Sequence, residues 1–266
     1  LQRVCGPSTL GVVKALLFTA LYLAVCTPII KANETDWSVI DSMYFAMATM
    51  STVGYGDFSP SHGKTGMRVF TLVMIFVGVG VVFPFVANAI GSLFSPITRV
   101  GRAMLDKMFP PRYHDLDGDG SQDYELPGHA GIYYFKKLLP SVVLIILVQL
   151  ASAAVFCALE QWGFFDAVYH CLVTVTTVGY GDQYIATQGG RAFSCVHMLT
   201  GVCLFAEMLS TIDSARTERG LLLQRIHALE QELTPALFAR LTKTAEELRP
   251  DDDDPKGLSD CEFVLS

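Results

Sequence analysis

Thr52-Val53-Gly54-Tyr55-Gly56-Asp57 recurs, letter for letter, as Thr177-Val178-Gly179-Tyr180-Gly181-Asp182. The chemistry open to such a string is the dehydration of a potassium ion. A TVGYG backbone stacks carbonyl oxygens into rings that replace the ion's water shell. For successive carbonyls to face one way, the backbone must leave the ordinary β and α wells at alternate residues, which glycine does cheaply. Thr52 and Thr177 can add a hydroxyl oxygen at the inner end. Val53, Tyr55, Val178 and Tyr180 lend their carbonyls to the ion and turn their side chains into the packing behind it. Gly56 and Gly181 support the outer end. Asp57 and Asp182 close the string at the mouth, where a carboxylate concentrates cations or bonds to a neighbouring helix. A lone GYG would mean little; the full string twice, each time between long apolar segments, has almost no bland explanation.

The duplication extends beyond the motif. Asp41 and Asp166 precede the two strings by the same distance, as do Tyr44 and Tyr169, and Thr49 and Thr174. After the strings, Arg68-Val69-Phe70 answers to Arg191-Ala192-Phe193 once a two-residue gap is allowed, and Gly78 then meets Gly201. Each half reads as membrane helix, short pore helix, filter, membrane helix.

The elements that must hold these strings follow from hydropathy. In 266 residues, 51% are hydrophobic and 17% charged, enough for several spans of about twenty apolar residues. The net charge of −7 comes largely from the acidic clusters Asp115 to Asp123 and Asp251 to Asp254, and no basic nucleic-acid surface is present. The seven cysteines are scattered without disulfide or zinc spacing, which favours reduced thiols. Residue 1 is leucine, so a natural N-terminus, with any site for cytosolic regulatory proteins, is expected upstream.

The expected fold is an all-α membrane protein: four transmembrane helices, two re-entrant pore-helix and filter loops per chain, and a small helical cytosolic tail. Residues 1–95 make the first pore repeat, with a span from Leu10 to Ile30. Asp41 is expected as the N-cap of a pore helix over Met43 to Ser51, whose negative end would favour a cation in the pore. A long inner helix is expected from Met67 to Phe94. Gly78, Gly201 and Pro84 form a candidate gating hinge, since proline inside a helix kinks it. Residues 96–137 form a polar linker, and the basic residues from Arg99 to Lys137 place it in the cytosol. The second repeat covers 138–213, with a span from Leu138 to Leu159, a pore helix from Asp166 to Thr176 and a span from Arg191 to Ile212. The tail covers 214–266. No span carries arginine at every third position, so no voltage sensor is expected.

Two acidic segments carry calcium-ligand spacing. Asp115, Asp117, Asp119, Gly120 and Asp123 fit loop positions one, three, five, six and nine, with Ser121 a further candidate ligand among them. Leu126 occupies position twelve, and nearby prolines deny the loop long flanking helices. The bland reading is an acidic solvated linker. Asp251, Asp253 and Glu262 fit positions one, three and twelve of a second loop, against Pro255 and Lys256 at positions five and six; that loop reads as degenerate. Glu207, late in the fourth span, either faces the ion cavity or is hydrated near the cytosol. His170 and His197 read as packing residues, and Tyr44 and Tyr169 as buttresses of the filter.

With two P-loops, four spans and a cytosolic tail, the chain from Leu10 onward resembles the two-pore-domain potassium channels. Its short first outer connection is similar to the plant and algal branch, as animal members carry a long helical cap there. Leu258 to Leu265 resembles the end of the EF-hands that follow the last span in plant members. The resemblance implies a potassium-selective leak channel in a vacuolar or plasma membrane, with potassium as the permeant ion and calcium as a regulator. A filter needs four P-loops around one axis and this chain supplies two, so a homodimer surrounded by membrane lipids is expected. The alternative is a calcium-binding regulatory subunit that does not conduct alone. A P-loop potassium transporter is weaker, because such repeats keep one filter glycine. Nothing in the chain suggests an enzyme.

Overall fold

The first span, α1 (Thr9–Asn33), is followed by a short pore helix, α2 (Val39–Met50). Ser38, not Asp41, caps α2. The Ser38 hydroxyl accepts from the Asp41 backbone N–H at 3.0 Å, and the Asp41 carboxylate accepts from the Ser38 N–H at 2.7 Å. This reciprocal box satisfies two of the N–H groups a helix start leaves open, and it lengthens the helix upstream of the expected start. The second pore helix, α6 (Phe164–Val175), has Asp166 at the equivalent place, behind Gly163.

The computed structural model describes residues 9–61, 64–110, 112–114, 124–126, 128–229 and 243. The chain divides into two units, Leu1–Thr217 and Glu218–Ser266. Four helical stretches in the described residues are long and apolar enough to cross a membrane: Leu10–Asn33, Thr65–Met108, Ala130–Glu160 and Gln188–Arg225. The protein is a multi-pass integral membrane protein, and the all-α architecture holds.

Three boundaries differ from the sequence reading. The first inner helix does not stop at Phe94. It comprises α3 (Thr65–Val77), a π-helical turn (Gly78–Val82) and α4 (Phe83–Met108), so much of the expected polar linker is helix. At about 1.5 Å per residue, its 44 residues overrun the roughly 30 Å of a hydrocarbon core. The second outer helix, α5, begins at Ala130 instead of Leu138 and ends at Glu160. The last helix, α7, runs unbroken from Gln188 to Leu229, past the expected end at Ile212. Polar composition marked where the chain leaves the membrane; it did not mark where helical hydrogen bonding ends.

One element is added to the all-helical plan. Arg112–His114 (β1) and Tyr124–Leu126 (β2) pair antiparallel, with Tyr113 opposite Glu125. The acidic segment between them therefore joins two strands, as its flanking prolines suggested, and not two helices. Asp115, Asp117, Asp119, Ser121 and Asp123 lie outside the described residues, as do Asp251, Asp253 and Glu262.

The π turn has a local cause. Pro84 has no N–H to donate and crowds the carbonyl four residues back. Widening the preceding turn to a five-residue repeat absorbs this, and the Phe83 N–H donates to the Gly78 carbonyl. The equivalent part of α7 holds Gly201 but no proline and stays α-helical. The two inner helices thus differ at the proposed hinge.

Both glycines also admit a close neighbour. A methyl on Gly78 would lie 2.9 Å from the Tyr22 hydroxyl, and one on Gly201 would lie 3.4 Å from the Gln149 amide nitrogen. In each repeat, a polar side chain of the outer helix reaches the back of the inner helix at this point.

Candidate ion-conducting site

The filter strings leave their pore helices in the same way. The Gly54 N–H donates to the Ala48 carbonyl at 3.2 Å, and the Gly179 N–H to Val173 at 3.3 Å. From there the backbone alternates. Thr52, Gly54 and Gly56 have φ of 61°, 55° and 82°, and Thr177, Gly179 and Gly181 have 57°, 54° and 69°. Every second residue is left-handed, the pattern that turns successive carbonyls to one side. The glycines meet this demand as their type allows. The threonines do not: a β-branched residue at positive φ is strained. Bonds from the Thr52 N–H to the Thr49 carbonyl and from the Thr177 N–H to Thr174 hold them there. The sequence reading assigned the alternation to glycine alone; it begins one residue pair earlier.

Within one chain the two filters lie side by side. A methyl on Gly179 would sit 2.1 Å from the Val53 carbonyl oxygen, and one on Gly181 would sit 2.1 Å from that of Tyr55. The side chains behind them are unequally covered. Val53 and Tyr55 are 3% and 8% exposed, whereas Val178 and Tyr180 are 49% and 69% exposed. Tyr55 stacks on His170 with ring centroids 5.4 Å apart, and its hydroxyl lies 2.6 Å from that of Thr174. Thr174 already donates to the His170 carbonyl, so the phenol is the donor. His170 is therefore part of the filter's packing, as expected. His197 lies deeper, bonded to Gln149 at 2.8 Å.

The outer ends are tied back identically. Tyr44 donates to Asp57 at 3.0 Å and Tyr169 to Asp182 at 2.9 Å. Both tyrosines hold the aspartate that closes their string, so each aspartate bonds to a pore helix.

A second strap was not foreseen. Glu34, just beyond α1, accepts from the Ser61 N–H at 3.1 Å and the Ser61 hydroxyl at 2.6 Å, and pairs with Lys64 at 2.9 Å. Glu160, ending α5, accepts from the Ala186 and Thr187 N–H groups and from the Thr187 hydroxyl at 2.6 Å. Each outer helix thus ends in a carboxylate that grips the chain leaving the filter. The signal was a glutamate at the end of each outer helix, one residue out of the repeat register.

Burial works against the Glu34 charge, but the Ser61 hydroxyl, Lys64 and the Ser61 amide outweigh it and hold the carboxyl below its usual range. A depressed pKa stabilises the fold above the ordinary glutamate value of about 4.3, and that stability is lost as pH falls through the folded pKa. Protection of the Ser61 amide from hydrogen exchange, corrected for intrinsic rates, is expected to hold from pH 7 to about 5 and to fall in stronger acid. Glu34→Gln should flatten that profile.

A buried ion pair fastens the repeats together. Arg191, at the start of α7, meets Asp41 of α2 at 2.6 Å, both side chains being nearly inaccessible. Arg191 also donates to the Ile185 carbonyl and the Tyr184 hydroxyl, and Gln188 donates to Asp41 at 3.0 Å. The match of Arg68 with Arg191 was legible as repetition; its function as a bond between the repeats was not.

Glu207 is exposed and lines a small cavity together with Phe94, Thr98, Arg102, Leu144, Leu204 and Thr211. A methyl on Gly91 would lie 2.9 Å from its carboxylate oxygen. The carboxylate thus lies between α7 and α4.

A family profile described as "Ion channel" matches residues 13–95 and 143–218, the two pore repeats. The chain belongs to this ion channel family. The channel is 27% identical over 217 residues to two-pore potassium channel 5 of Arabidopsis thaliana, covering 77% of this chain and 52% of that one. It is 25% identical over 231 residues to two pore potassium channel a of Oryza sativa subsp. japonica, covering 85% and 60%. With two-pore potassium channel 4 of Arabidopsis it shares 29% over 210 residues, covering 77% and 69%. The resemblance to plant tandem-pore channels therefore holds across both repeats. The matches span about half to two thirds of these relatives' lengths.

Proposed function

We propose that two copies of this chain enclose one pore that passes potassium down its gradient, without a voltage sensor and without reaction chemistry. The observation that carries this reading is the alternating left-handed backbone of the two filters, set side by side within one chain. Potassium exchanges its water for the carbonyls of Thr52, Val53, Gly54 and Tyr55 and of Thr177, Val178, Gly179 and Tyr180. Neighbouring ions repel, and flux follows. The apolar faces of the spans, with residues such as Leu16, Phe76 and Leu147 exposed, meet lipid. The membrane is vacuolar or plasma.

Gating belongs to the inner helices. Gly78 and Pro84 bracket the π turn of the first, and Gly201 is the matching point of the second. Calcium, acting on the acidic segment 115–123 or on residues 251–262, is the proposed regulator; ligand spacing alone supports it.

The purified chain in potassium-loaded liposomes is expected to release potassium and to pass sodium far more slowly. Equal permeability to both ions, or no flux, would remove the reading.

A further inference from the structure

At the inner end of each pore helix, three elements meet at an inner-helix glycine. In the first repeat they bring Gly78, Met50 from the end of α2 and Tyr22 from the outer helix. In the second they bring Gly201, Val175 from the end of α6 and Gln149. A methyl on Gly78 would lie 3.2 Å from Met50, and one on Gly201 would lie 3.4 Å from Val175. Tyr22 and Gln149 are 5% and 1% exposed, so each carries hydrogen-bonding atoms into a buried junction, where they need protein partners.

The two junctions are in different states. In the first, the Gly78 N–H is shared between the Ile75 and Met74 carbonyls. The Met74 carbonyl, four residues before the glycine, is thus incompletely bonded, and the Tyr22 hydroxyl donates to it at 3.4 Å. The π turn follows directly. In the second, α7 passes Gly201 as unbroken α-helix. The carbonyl four residues before this glycine belongs to His197. Gln149 is bonded instead to the His197 ring, its amide oxygen accepting from Nε2 at 2.8 Å. The Gln149 Nε2, close beside Gly201, has no partner among the described residues. The Thr200 hydroxyl donates to the Val196 carbonyl at 2.8 Å, a back-bond of the kind that often bends a helix. An empty buried donor is costly, and a second state in which it is used accounts for it.

We propose that Tyr22 and Gln149 are positioning residues for the inner-helix hinges. Each is the outer-helix donor for the carbonyl four residues before the hinge glycine, engaged at Met74 and held in reserve for His197. When α7 bends at Gly201, the Gly201 N–H shifts toward the Met198 carbonyl, as that of Gly78 does toward Ile75. The Gln149 Nε2–H then takes the loosened His197 carbonyl, so bending strands no backbone acceptor inside the membrane. The first inner helix is already clasped, and the moving one is the second. Its bend swings the cytosolic half of α7 and widens the inner mouth. This inference rests on the gating role given above to the inner helices.

The test uses single-channel recording of the full chain in planar bilayers and hydrogen exchange of the same chain in lipid nanodiscs. Gln149→Met keeps the side chain's length and removes the donor. It is expected to lower the open probability about two- to tenfold, the worth of one hydrogen bond, at unchanged unit conductance and unchanged preference for potassium over sodium. Exchange of the Gly201 amide, resolved from those of Val202 to Leu204, should slow by the same factor. Tyr22→Phe should lower the open probability in the same direction without slowing Gly201. Adding His197→Leu to Gln149→Met separates two roles. If Gln149 serves only to satisfy His197, removing both partners restores native behaviour and the proposal falls. If it is the hinge donor, the double variant behaves like Gln149→Met. Unchanged open probability and unchanged Gly201 exchange in Gln149→Met also overturn it. Should that variant fail to insert, the native chain decides: Gly201 is expected to exchange about tenfold faster than Val202 to Leu204, and uniform protection across them overturns the hinge donor. A native chain that does not conduct removes the channel reading, while exchange at Gly201 still decides the clasp.

Discussion

Replacing Gly179 by alanine is expected to abolish potassium flux while leaving the protein inserted in the membrane. Gly179 has φ of 54°, and a methyl there would lie 2.1 Å from the Val53 carbonyl oxygen. An L-residue in the left-handed region costs roughly 1–2 kcal/mol. In the proposed two-copy pore the conformational cost alone comes to about 2–4 kcal/mol, which is about a thirtyfold to thousandfold loss of the conducting arrangement. The clash adds to this and cannot be relieved by rotating a side chain, because the obstructing atom is the backbone group that would hold the ion. Either displacement removes a rung of the coordination ladder. Liposome flux should fall to background, with unchanged helical circular dichroism and unchanged yield from the membrane fraction. Substantial selective flux from Gly179→Ala would show that the two filters do not share one ion path.

Loss of either partner of the Asp41–Arg191 pair is expected to be the largest single effect on stability. Removing one member of a buried, hydrogen-bonded pair leaves an uncompensated charge and costs about 3–5 kcal/mol. Arg191→Ala also strips a donor from the Ile185 carbonyl and the Tyr184 hydroxyl. Asp41→Ala additionally breaks the capping box of α2, worth about 1 kcal/mol in its own right. Thermal unfolding of the solubilised protein should show both variants strongly destabilised. Asp41→Leu combined with Arg191→Met should recover part of the loss, because a matched apolar pair leaves no charge stranded. An unchanged melting temperature for Arg191→Ala would mean that the repeats are held together by packing alone.

The contrast between Arg191 and Arg68 shows how far repetition can be read. Both arginines follow their filters and both were matched by register, but the string does not say which is buried. Burial depends on which repeat lies against which, and within one chain only the order first-then-second is available. Glu34 and Glu160 teach a similar lesson. They end the two outer helices one residue out of register, and their purpose appears only when the chain leaving each filter folds back onto the end of the outer helix. Ser38 was missed as the cap of α2 because the aspartate three residues on offered a plausible alternative, and only backbone geometry separates N-cap from N3.

Thr52 and Thr177 mark the reverse case. Their residue type argues against positive φ, and the local bonds to Thr49 and Thr174 override that preference. The π turn lies between these extremes. Pro84 announced a disturbance in the helix, but a kink, a break and a widened turn all answer the same missing N–H, and the surrounding packing chose among them.

The amino-acid string by itself determined the four apolar crossings, the duplication and the two strings where the backbone turns left-handed at glycine, because these depend on hydropathy, on repetition and on what glycine's missing side chain permits. The tertiary structure decided which of Arg68 and Arg191 is buried within the chain, and that Arg191 locks the repeats. Those outcomes depend on which surfaces meet in space, and a duplicated sequence offers each surface twice without saying which of the two will be used.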